Sequence, residues 1–305
     1  MPVSPRDWAS PPTFTPNPYR LRDAAEVEQF TGHQKLGIQY QPDVCVRPLE
    51  TTTQCLTGAG VSKTPLAGAN WRGANPFAVY TWLDCALVGL GQDEDAERRL
   101  KAQTLAAHNN NVQTTVENVF WTGGVYNTYP HLAYTGAAVT EVSGGSTVTL
   151  QTSATVPVTG TFDIVEAVGL LEYNIGLCYG GRPTLHMPQM AIAHMATNHL
   201  IVEKNGKLFT PAGSRVVGAP GYARTGPDGT TPADNAFWIY ATGAVKWWQS
   251  EVQFMARDVQ ETLLRTVNDS VLIAEQWFAL GWDCCHYAMQ VSGGGIITGT
   301  PNSAT

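Results

Sequence analysis

The sequence predicts an α+β fold, and three observations support this prediction. Residues 93–122 contain neither Pro nor Gly and read as one long helix. Apolar stretches that are rich in β-branched and aromatic residues read as strands, at residues 76–88, 237–248 and 271–291. Helices and strands follow one another without a regular βαβ alternation, which favours α+β over a doubly wound parallel sheet.

The composition is that of a folded protein with few charges. Hydrophobic residues make up 43% of the 305 residues and charged residues only 14%, which indicates surfaces that meet other protein rather than water. The formal charge of −7 and the lack of a basic run argue against a protein that coats nucleic acid electrostatically. Because there is no apolar stretch of membrane-spanning length and no signal-peptide core, we expect a cytosolic protein.

The cysteines predict ordinary buried or half-buried thiols. Six in a chain of this length are too sparse for a disulfide scaffold, and they show no C-x-x-C spacing. The adjacent pair Cys284 and Cys285 could bind metal or form a vicinal disulfide. Neighbouring side chains of a strand point to opposite faces, however, so we expect one of them to face inward and the other outward.

The N-terminal segment, residues 1–35, reads as an arm. It is rich in proline and cannot form a core by itself, so it is either disordered or laid over another surface. Its aromatic residues Trp8 and Phe14 are candidates for contact with a neighbouring chain. A short helix is predicted at residues 23–30.

Two strands and a long loop follow. Strand-like patterns lie at residues 36–48 and 76–88, and between them residues 51–75 are rich in Thr and Gly. A structureless excursion of this length in a compact domain is normally functional or reaches for a partner. Lys63 lies in its middle.

The long helix, residues 93–124, opens on acidic residues that suit the positive end of the helix dipole and closes on Gly123 and Gly124. Such a helix would be roughly 40 Å long. Its first half, which includes Arg98 and Arg99, is polar almost all round. We therefore predict a strut that leans on neighbouring subunits.

The middle of the chain mixes short strands and two further helices. Strands are predicted at residues 146–152, 153–159 and 184–187. A second helix is predicted to begin at Thr161 as N-cap, with Asp163 in its first turn, and to end at Gly180. Its predicted apolar stripe is Val165, Val168, Leu171 and Ile175. Pro188 suits the first turn of a third helix that ends at Leu200.

The last third is predicted to be β again. A turn is marked at residues 205–206, a strand at 215–218, and a loop at 220–229 that carries Tyr222 and Arg224. Aromatic residues are concentrated in the strands that follow: Trp238, Tyr240, Trp247, Trp248, Trp277 and Trp282. They could line a ligand groove, but a sheet core or a protein interface is the favoured interpretation.

No set of residues combines an acid, a base and a nucleophile, and we predict neither an enzyme nor a bound cofactor or metal. His186, His194 and His199 lack a zinc spacing, and the neighbours Cys284 and His286 are not expected to point at each other. Phosphate-loop and Gly-x-Ser-x-Gly motifs are absent from the sequence.

Several motifs resemble the Hong Kong 97-like major capsid proteins of tailed phages, and encapsulins share that fold. Ala-Glu-Arg-Arg-Leu-Lys-Ala (residues 96–102), followed by Val-Glu-Asn-Val-Phe-Trp-Thr-Gly (116–123), resembles the spine helix of that family. Further segments are similar to shell proteins of actinobacterial phages and occur in the same order, at residues 37–45, 171–188, 238–245 and 274–284.

The resemblance implies five segments. They are an N-terminal arm (1–35), strands with an extended loop (36–92), a peripheral domain with the spine helix (93–160), an axial domain (161–245), and C-terminal strands with a tail (246–305). It also implies contacts between subunits, for which the candidates are Trp8, Phe14, Lys63, Arg98, Arg99, Tyr222 and Arg224. In some relatives a loop lysine forms an isopeptide bond with a neighbour's asparagine; Lys63 is suitably placed, although a lone lysine is usually only a surface residue.

The function that the resemblance implies is a major capsid protein. Such a subunit forms pentamers and hexamers of an icosahedral shell in the virion, assembles in the host cytoplasm, and contacts the packaged DNA weakly and non-specifically. Decoration, scaffolding and portal proteins are expected partners, and a membrane is not. The alternatives are an encapsulin-like compartment shell, and another virion structural or decoration protein that binds a ligand through its aromatic residues.

Overall fold

The computed structural model describes residues 14–41, 71–86, 94–143, 145–227, 229, 231–232, 235–256, 269–283 and 285–293. The helices are α1 (Glu94–Thr122), α2 (Ile164–Tyr179) and α3 (Gln189–Thr197), with short 3-10 turns at Leu21–Asp23 and Gln34–Leu36. The strands are β1 (Glu26–Gln29), β2 (Ile38–Tyr40), β3 (Trp71–Ala74), β4 (Phe77–Ala86), β5 (Val139–Ser143), β6 (Ser146–Gln151), β7 (Thr161–Phe162), β8 (Thr184–Pro188), β9 (Val202–Lys204), β10 (Lys207–Phe209), β11 (Arg215–Ala219), β12 (Ala236–Thr242), β13 (Val245–Gln249), β14 (Gln253–Ala256), β15 (Asp269–Trp282) and β16 (His286–Ser292). Within these residues no helix is both long and apolar enough to cross a membrane.

The first sheet is organised around the long strand β15. Its order is β1-β13-β15-β14, and β4 pairs antiparallel with the other edge of β15, from Phe77 opposite Phe278 to Ala86 opposite Asp269. Strand β1 pairs in parallel with β13. The helix predicted for residues 23–30 is therefore wrong over β1. There Glu28 accepts hydrogen bonds from Lys246 Nζ at 3.0 Å and Trp248 Nε1 at 2.8 Å, which fix the segment as an edge strand.

Helix α1 lies on the face of β4 and β15, and its predicted extent is confirmed within the described residues. Its second half buries Val112, Val116, Phe120 and Trp121 in a core shared with Leu21, Trp247, Phe278 and Trp282. Near the middle of the helix, the buried His108 lies 3.1 Å from Thr81 Oγ1 and 3.4 Å from Gln276 Oε1, so polar contacts attach this part of the helix to the sheet.

The second sheet is covered by α2 and α3. Its order is β7-β16-β12-β8-β11-β10-β9, and its core is formed with Ile164, Leu171 and Ile175 of α2 and Met195 of α3. Two details of α2 differ from the prediction. The N-cap is Asp163, whose Oδ1 accepts the Glu166 N–H at 2.9 Å, whereas Thr161 belongs to β7. Val165 is exposed, because Ile164 and Ala167 take the buried positions of the first turn.

A third sheet has the order β2-β3-β6-β5. Strand β3 falls within the predicted loop 51–75, and that prediction is wrong for residues 71–74. Residues 51–70 of the predicted loop lie outside the described residues. The predicted strand at 153–159 is also wrong, since only Thr155 forms a bridge, with Tyr287, and Pro157 interrupts the segment.

Cys178 and Cys285 form a disulfide, so the prediction of ordinary thiols is wrong for this pair. The bond joins the last turn of α2 to the segment that leads into β16. Cys285 is buried, as expected for one member of the adjacent pair, and Cys284 lies outside the described residues. The pairing could not be read from spacing, because 107 residues separate the two cysteines.

Candidate assembly surfaces

The exposed face of the first sheet carries large aromatic side chains. Tyr80 and Trp82 of β4 are 63% and 55% exposed. They alternate along the strand with Val79 and Thr81, which face α1. The strand register places Trp277 of β15 on the same outward face as Tyr80. The alternation within residues 76–88 was visible in the sequence, but nothing there indicated which of the two apolar faces would remain uncovered.

Trp277 is held between charged groups at the edge of this aromatic face. Its Nε1 donates to Glu275 Oε1 at 2.8 Å, and Lys35 Nζ lies 5.8 Å from the ring centroid. The hydrogen bond and the cation contact favour one orientation of the Trp277 ring. The face therefore presents aromatic side chains, the type enriched in protein interfaces.

A second apolar surface lies beyond the end of α1. Val125 and Tyr126 are 94% and 90% exposed. They follow Gly123 and Gly124, which both have positive φ angles and end the helix as predicted. A third such surface is the outer side of α2, with Val165, Tyr173 and Leu177 exposed at helical spacing.

The structure describes only some of the side chains predicted to contact a neighbouring subunit. Phe14 and Arg98 are exposed. Trp8 and Lys63, together with the side chain of Arg99, lie outside the described residues. The roles of Phe14 and Arg98 between subunits stay predictions.

Tyr222 and Arg224 are engaged within the chain itself. Tyr222 is only 6% exposed, packs against Phe120 and Trp121, and has its hydroxyl 3.0 Å from His186 Nδ1. Arg224 is half-buried and donates from Nε and Nη2 to the Ala236 carbonyl, at 3.3 and 2.8 Å. The structure thus places Tyr222 in the interior, where it offers almost no side-chain surface to a neighbour.

A buried polar cluster lies where the N-terminal segment, α1 and the 220–226 loop meet. Glu117 on α1 accepts N–H groups from Leu21 and Gly221, and Arg20 Nη2 donates to Thr114 Oγ1 at 3.1 Å. Burial raises the pKa of Glu117 to about 7, against the opposing effects of the Arg20 charge and the two N–H donors. We call Arg20, Leu21, Thr114, Glu117 and Gly221 the Glu117 cluster.

The predicted core role is confirmed for four of the six aromatic residues, whereas Trp238 is half-buried and Trp277 is half-buried on the outward face of the first sheet. Tyr240, Trp247, Trp248 and Trp282 are buried. A cleft of about 330 Å³ lies between α1 and the first sheet. Side chains that line it are Arg22, Asn109, Val112, Gln113, Trp247, Gln249, Gln276 and Phe278, with neither carboxylate nor imidazole among them. This lining provides no acid, base or nucleophile.

Of the histidines in the last two thirds of the chain, His186 and His286 are buried, His194 is half-buried and His199 is exposed. His186 Nε2 lies 2.9 Å from Thr242 Oγ1, and burial lowers the pKa of His186 and of His286 to about 3. His194 packs edge-on against Phe237. Among the described residues no group of three His, Cys, Asp or Glu side chains is placed to hold a metal ion.

Comparisons with known proteins agree with this picture at the level of the fold. No protein-family profile matches the chain, and no curated protein matches its sequence. Solved structures do match over nearly the whole length. The capsid of the native GTA particle, computed with C5 symmetry, has a TM-score of 0.55 at 12% identity, with 95% of this chain and 96% of that chain covered.

Two phage structures match in the same way. Gordonia phage Cozz has a TM-score of 0.53 at 8% identity, over 95% of this chain and 92% of that chain. Mycobacterium phage Adephagia has a TM-score of 0.52 at 14% identity, over 97% and 96%. The chain is therefore an α+β protein with the architecture of a capsid chain. More narrowly, its fold is the Hong Kong 97-like capsid fold that the sequence predicted.

Proposed function

We propose that this chain is the major capsid protein of a tailed bacteriophage, a structural subunit that self-assembles into the icosahedral head around double-stranded DNA. The observation that carries the proposal is the match to the GTA particle capsid, which spans 95% of this chain and 96% of that one. A correspondence over both full lengths concerns the whole subunit rather than one shared module. Fold alone does not define function, so the surfaces must supply the rest.

The surfaces support assembly. Exposed aromatic and apolar side chains on β4, beyond α1 and on α2 would be costly on a free monomer, and covering them in a neighbour would stabilise a shell. We propose pentamers and hexamers of this chain in the virion, assembled in the host cytoplasm. Decoration, scaffolding and portal proteins are proposed as further partners.

The lining of the cleft and the net charge of the chain support a role without catalysis and with weak DNA contact. The described cleft lacks an acid, a base and a nucleophile, and a formal charge of −7 disfavours strong phosphate binding. A shell of this subunit would contain DNA by enclosure rather than by tight binding.

Electron microscopy of the expressed protein, with light scattering, tests the proposal. Closed shells or ring-shaped capsomers are expected. A stable monomer under all conditions of salt, pH and concentration would contradict it. Shells that co-purify with one specific enzyme would instead indicate an encapsulin-like compartment, and binding only to preformed phage heads would indicate a decoration protein.

A further inference from the structure

We propose that Glu117 is a proton-dependent latch. Its ionised carboxylate fixes the base of the N-terminal segment, the Leu21–Asp23 turn, against α1, and its protonation loosens that turn. The latch is a property of one subunit, and the inference does not depend on the proposed function.

One side chain connects three distant parts of the chain. Glu117 is fully buried on α1; its Oε1 accepts the Leu21 N–H at 3.4 Å, and its Oε2 accepts the Gly221 N–H at 3.3 Å. These two amides lie 96 and 104 residues away in sequence. A buried N–H needs an acceptor, and Glu117 supplies one to each segment.

The 220–226 loop cannot move freely relative to Glu117. A Cβ atom added to Gly221 would lie 2.2 Å from the Thr114 carbonyl oxygen and 2.7 Å from the Glu117 Cβ, so the loop backbone is in direct contact with α1. The Leu21–Asp23 turn is attached to α1 through the Leu21 N–H and through Arg20 Nη2, which donates to Thr114 Oγ1 at 3.1 Å. Because the Gly221 backbone packs directly on α1, the Leu21 contact is the one that yields.

The charges around Glu117 place its two protonation states close in free energy. The N-terminal segment contributes the buried Arg20 cation, which favours the ionised state, and Asp23, which disfavours it. The loop contributes Tyr222, whose hydroxyl lies beside His186. Burial disfavours the ionised form most and raises the pKa of Glu117 to about 7. Both states are therefore populated near neutral pH.

Protonation changes the number of good acceptors. The ionised carboxylate offers two acceptor oxygens, one for each amide, whereas the protonated acid has one carbonyl oxygen and one hydroxyl that donates. A proton taken up from solvent at Oε1 therefore removes the acceptor of the Leu21 N–H while Oε2 keeps that of Gly221. Losing a hydrogen bond to a charged group corresponds to about tenfold in a local opening equilibrium.

Amide hydrogen exchange of the full-length protein tests this proposal. The Leu21 protection factor, corrected for the intrinsic pH dependence of exchange, is expected to be about fivefold lower at about pH 6 than at about pH 8 in the wild-type chain, because each protonation state is still partly populated at these pH values. In Glu117→Gln the side chain is neutral throughout, so the Leu21 protection factor should be low and constant. Glu28→Gln is the matched control: this carboxylate on β1 has its pKa lowered, chiefly by its bond to Lys246, and its replacement should leave the pH dependence of the Leu21 protection factor unchanged, whatever the absolute protection.

Two results would overturn the latch. One is a wild-type Leu21 protection factor that does not change between these pH values, and this measurement needs no variant to fold. The other is a change that persists in Glu117→Gln. A midpoint near pH 7 that appears in both the wild type and Glu28→Gln and disappears in Glu117→Gln supports the proposal, whether or not shells form.

Discussion

Cys178 in the last turn of α2 and Cys285 beside β16 are joined by a disulfide across 107 residues of sequence. Closing so long a loop restricts the unfolded chain and is expected to stabilise the fold by roughly 4 kcal/mol. Cys178→Ser should therefore lower the free energy of unfolding by about that amount in denaturant titrations. The wild-type protein in reductant serves as the control and should match the variant. Complete alkylation of the unreduced, unfolded wild type at both cysteines would contradict the pairing.

The pairing of Cys178 with Cys285 could not be predicted from the sequence. The absence of C-x-x-C spacing and an expected cytosolic location both pointed to free thiols, and neither observation can detect two cysteines that meet only after the second sheet has formed. Residues that mark the ends of helices were better predictors of structure. The acidic start and double glycine of α1 predicted a helix that the structure confirms. Pro188 correctly predicted α3, but Pro188 is its N-cap rather than a residue of its first turn, and the helix ends at Thr197 instead of Leu200.

Errors arose where tertiary pairing overrides local preference. Residues 26–29 have a helix-compatible composition, yet they form β1 because β13 offers an open edge and Lys246 and Trp248 bind Glu28. Strand β3 was hidden in a Gly- and Thr-rich stretch and gains its stability from β2 and β6. The Glu117 cluster was also missed, since a lone Glu in a helix gives no sequence signal that distant amides will bind it.

Phe120 should be a principal stability residue of α1. It is fully buried and packs against His186, Tyr222 and Trp282 with ring centroids 5.4 to 6.5 Å apart. Phe120→Ala removes this contact and leaves a cavity, so we expect a loss of about 3–5 kcal/mol in the free energy of unfolding. Thr115→Ala, at an exposed position of the same helix, is the control and should change stability by less than about 0.5 kcal/mol. Equal effects would show that α1 is not packed as described.

Acid should unfold the subunit partly through its buried histidines. Burial lowers the pKa of His186 and His286 to about 3, whereas the unfolded side chains titrate near their ordinary pKa of 6.5. Their contribution to stability is complete above about pH 6.5 and is lost as the pH falls towards 3, by roughly 1.4 kcal/mol per pH unit for each histidine.

His286→Phe isolates one of these contributions. The ring stacks on Tyr240 with centroids 5.6 Å apart, and phenylalanine can keep that contact without titrating. The difference in unfolding free energy between wild type and variant should therefore shift in favour of the variant as the pH falls below about 6.5. Glu117 has the opposite sign, because its pKa is raised to about 7, but it is present in both proteins and cancels. A pH-independent difference would show that His286 is not held neutral.

Charge reversal at the start of α1 tests the predicted strut. Arg98 is exposed near the beginning of the helix, and Arg99 follows it in sequence. If this half of α1 meets a neighbour, Arg98→Glu with Arg99→Glu should abolish shells in electron micrographs and leave the free energy of unfolding within about 0.5 kcal/mol of wild type. The control variant Arg98→Lys with Arg99→Lys retains both positive charges and should still assemble. An equal loss of soluble monomer would mean that these residues act in folding instead.

Two glycines should respond to alanine with opposite signs. At Gly221 the added Cβ would lie 2.2 Å from the Thr114 carbonyl oxygen, so the 220–226 loop must move off α1, and a loss of about 1–3 kcal/mol in the free energy of unfolding is expected. At Gly169 on α2 the added Cβ meets nothing within 4 Å, and Gly169→Ala should stabilise the subunit by about 0.5–1 kcal/mol through helix propensity alone.

Both changes in the free energy of unfolding are measured by denaturant unfolding of the unassembled chain. The pair separates steric contact from backbone entropy, because the same substitution is made at both sites. A stabilised Gly221→Ala would remove the close approach between the loop and α1, and with it the reason why the Gly221 side of the Glu117 cluster stays in place.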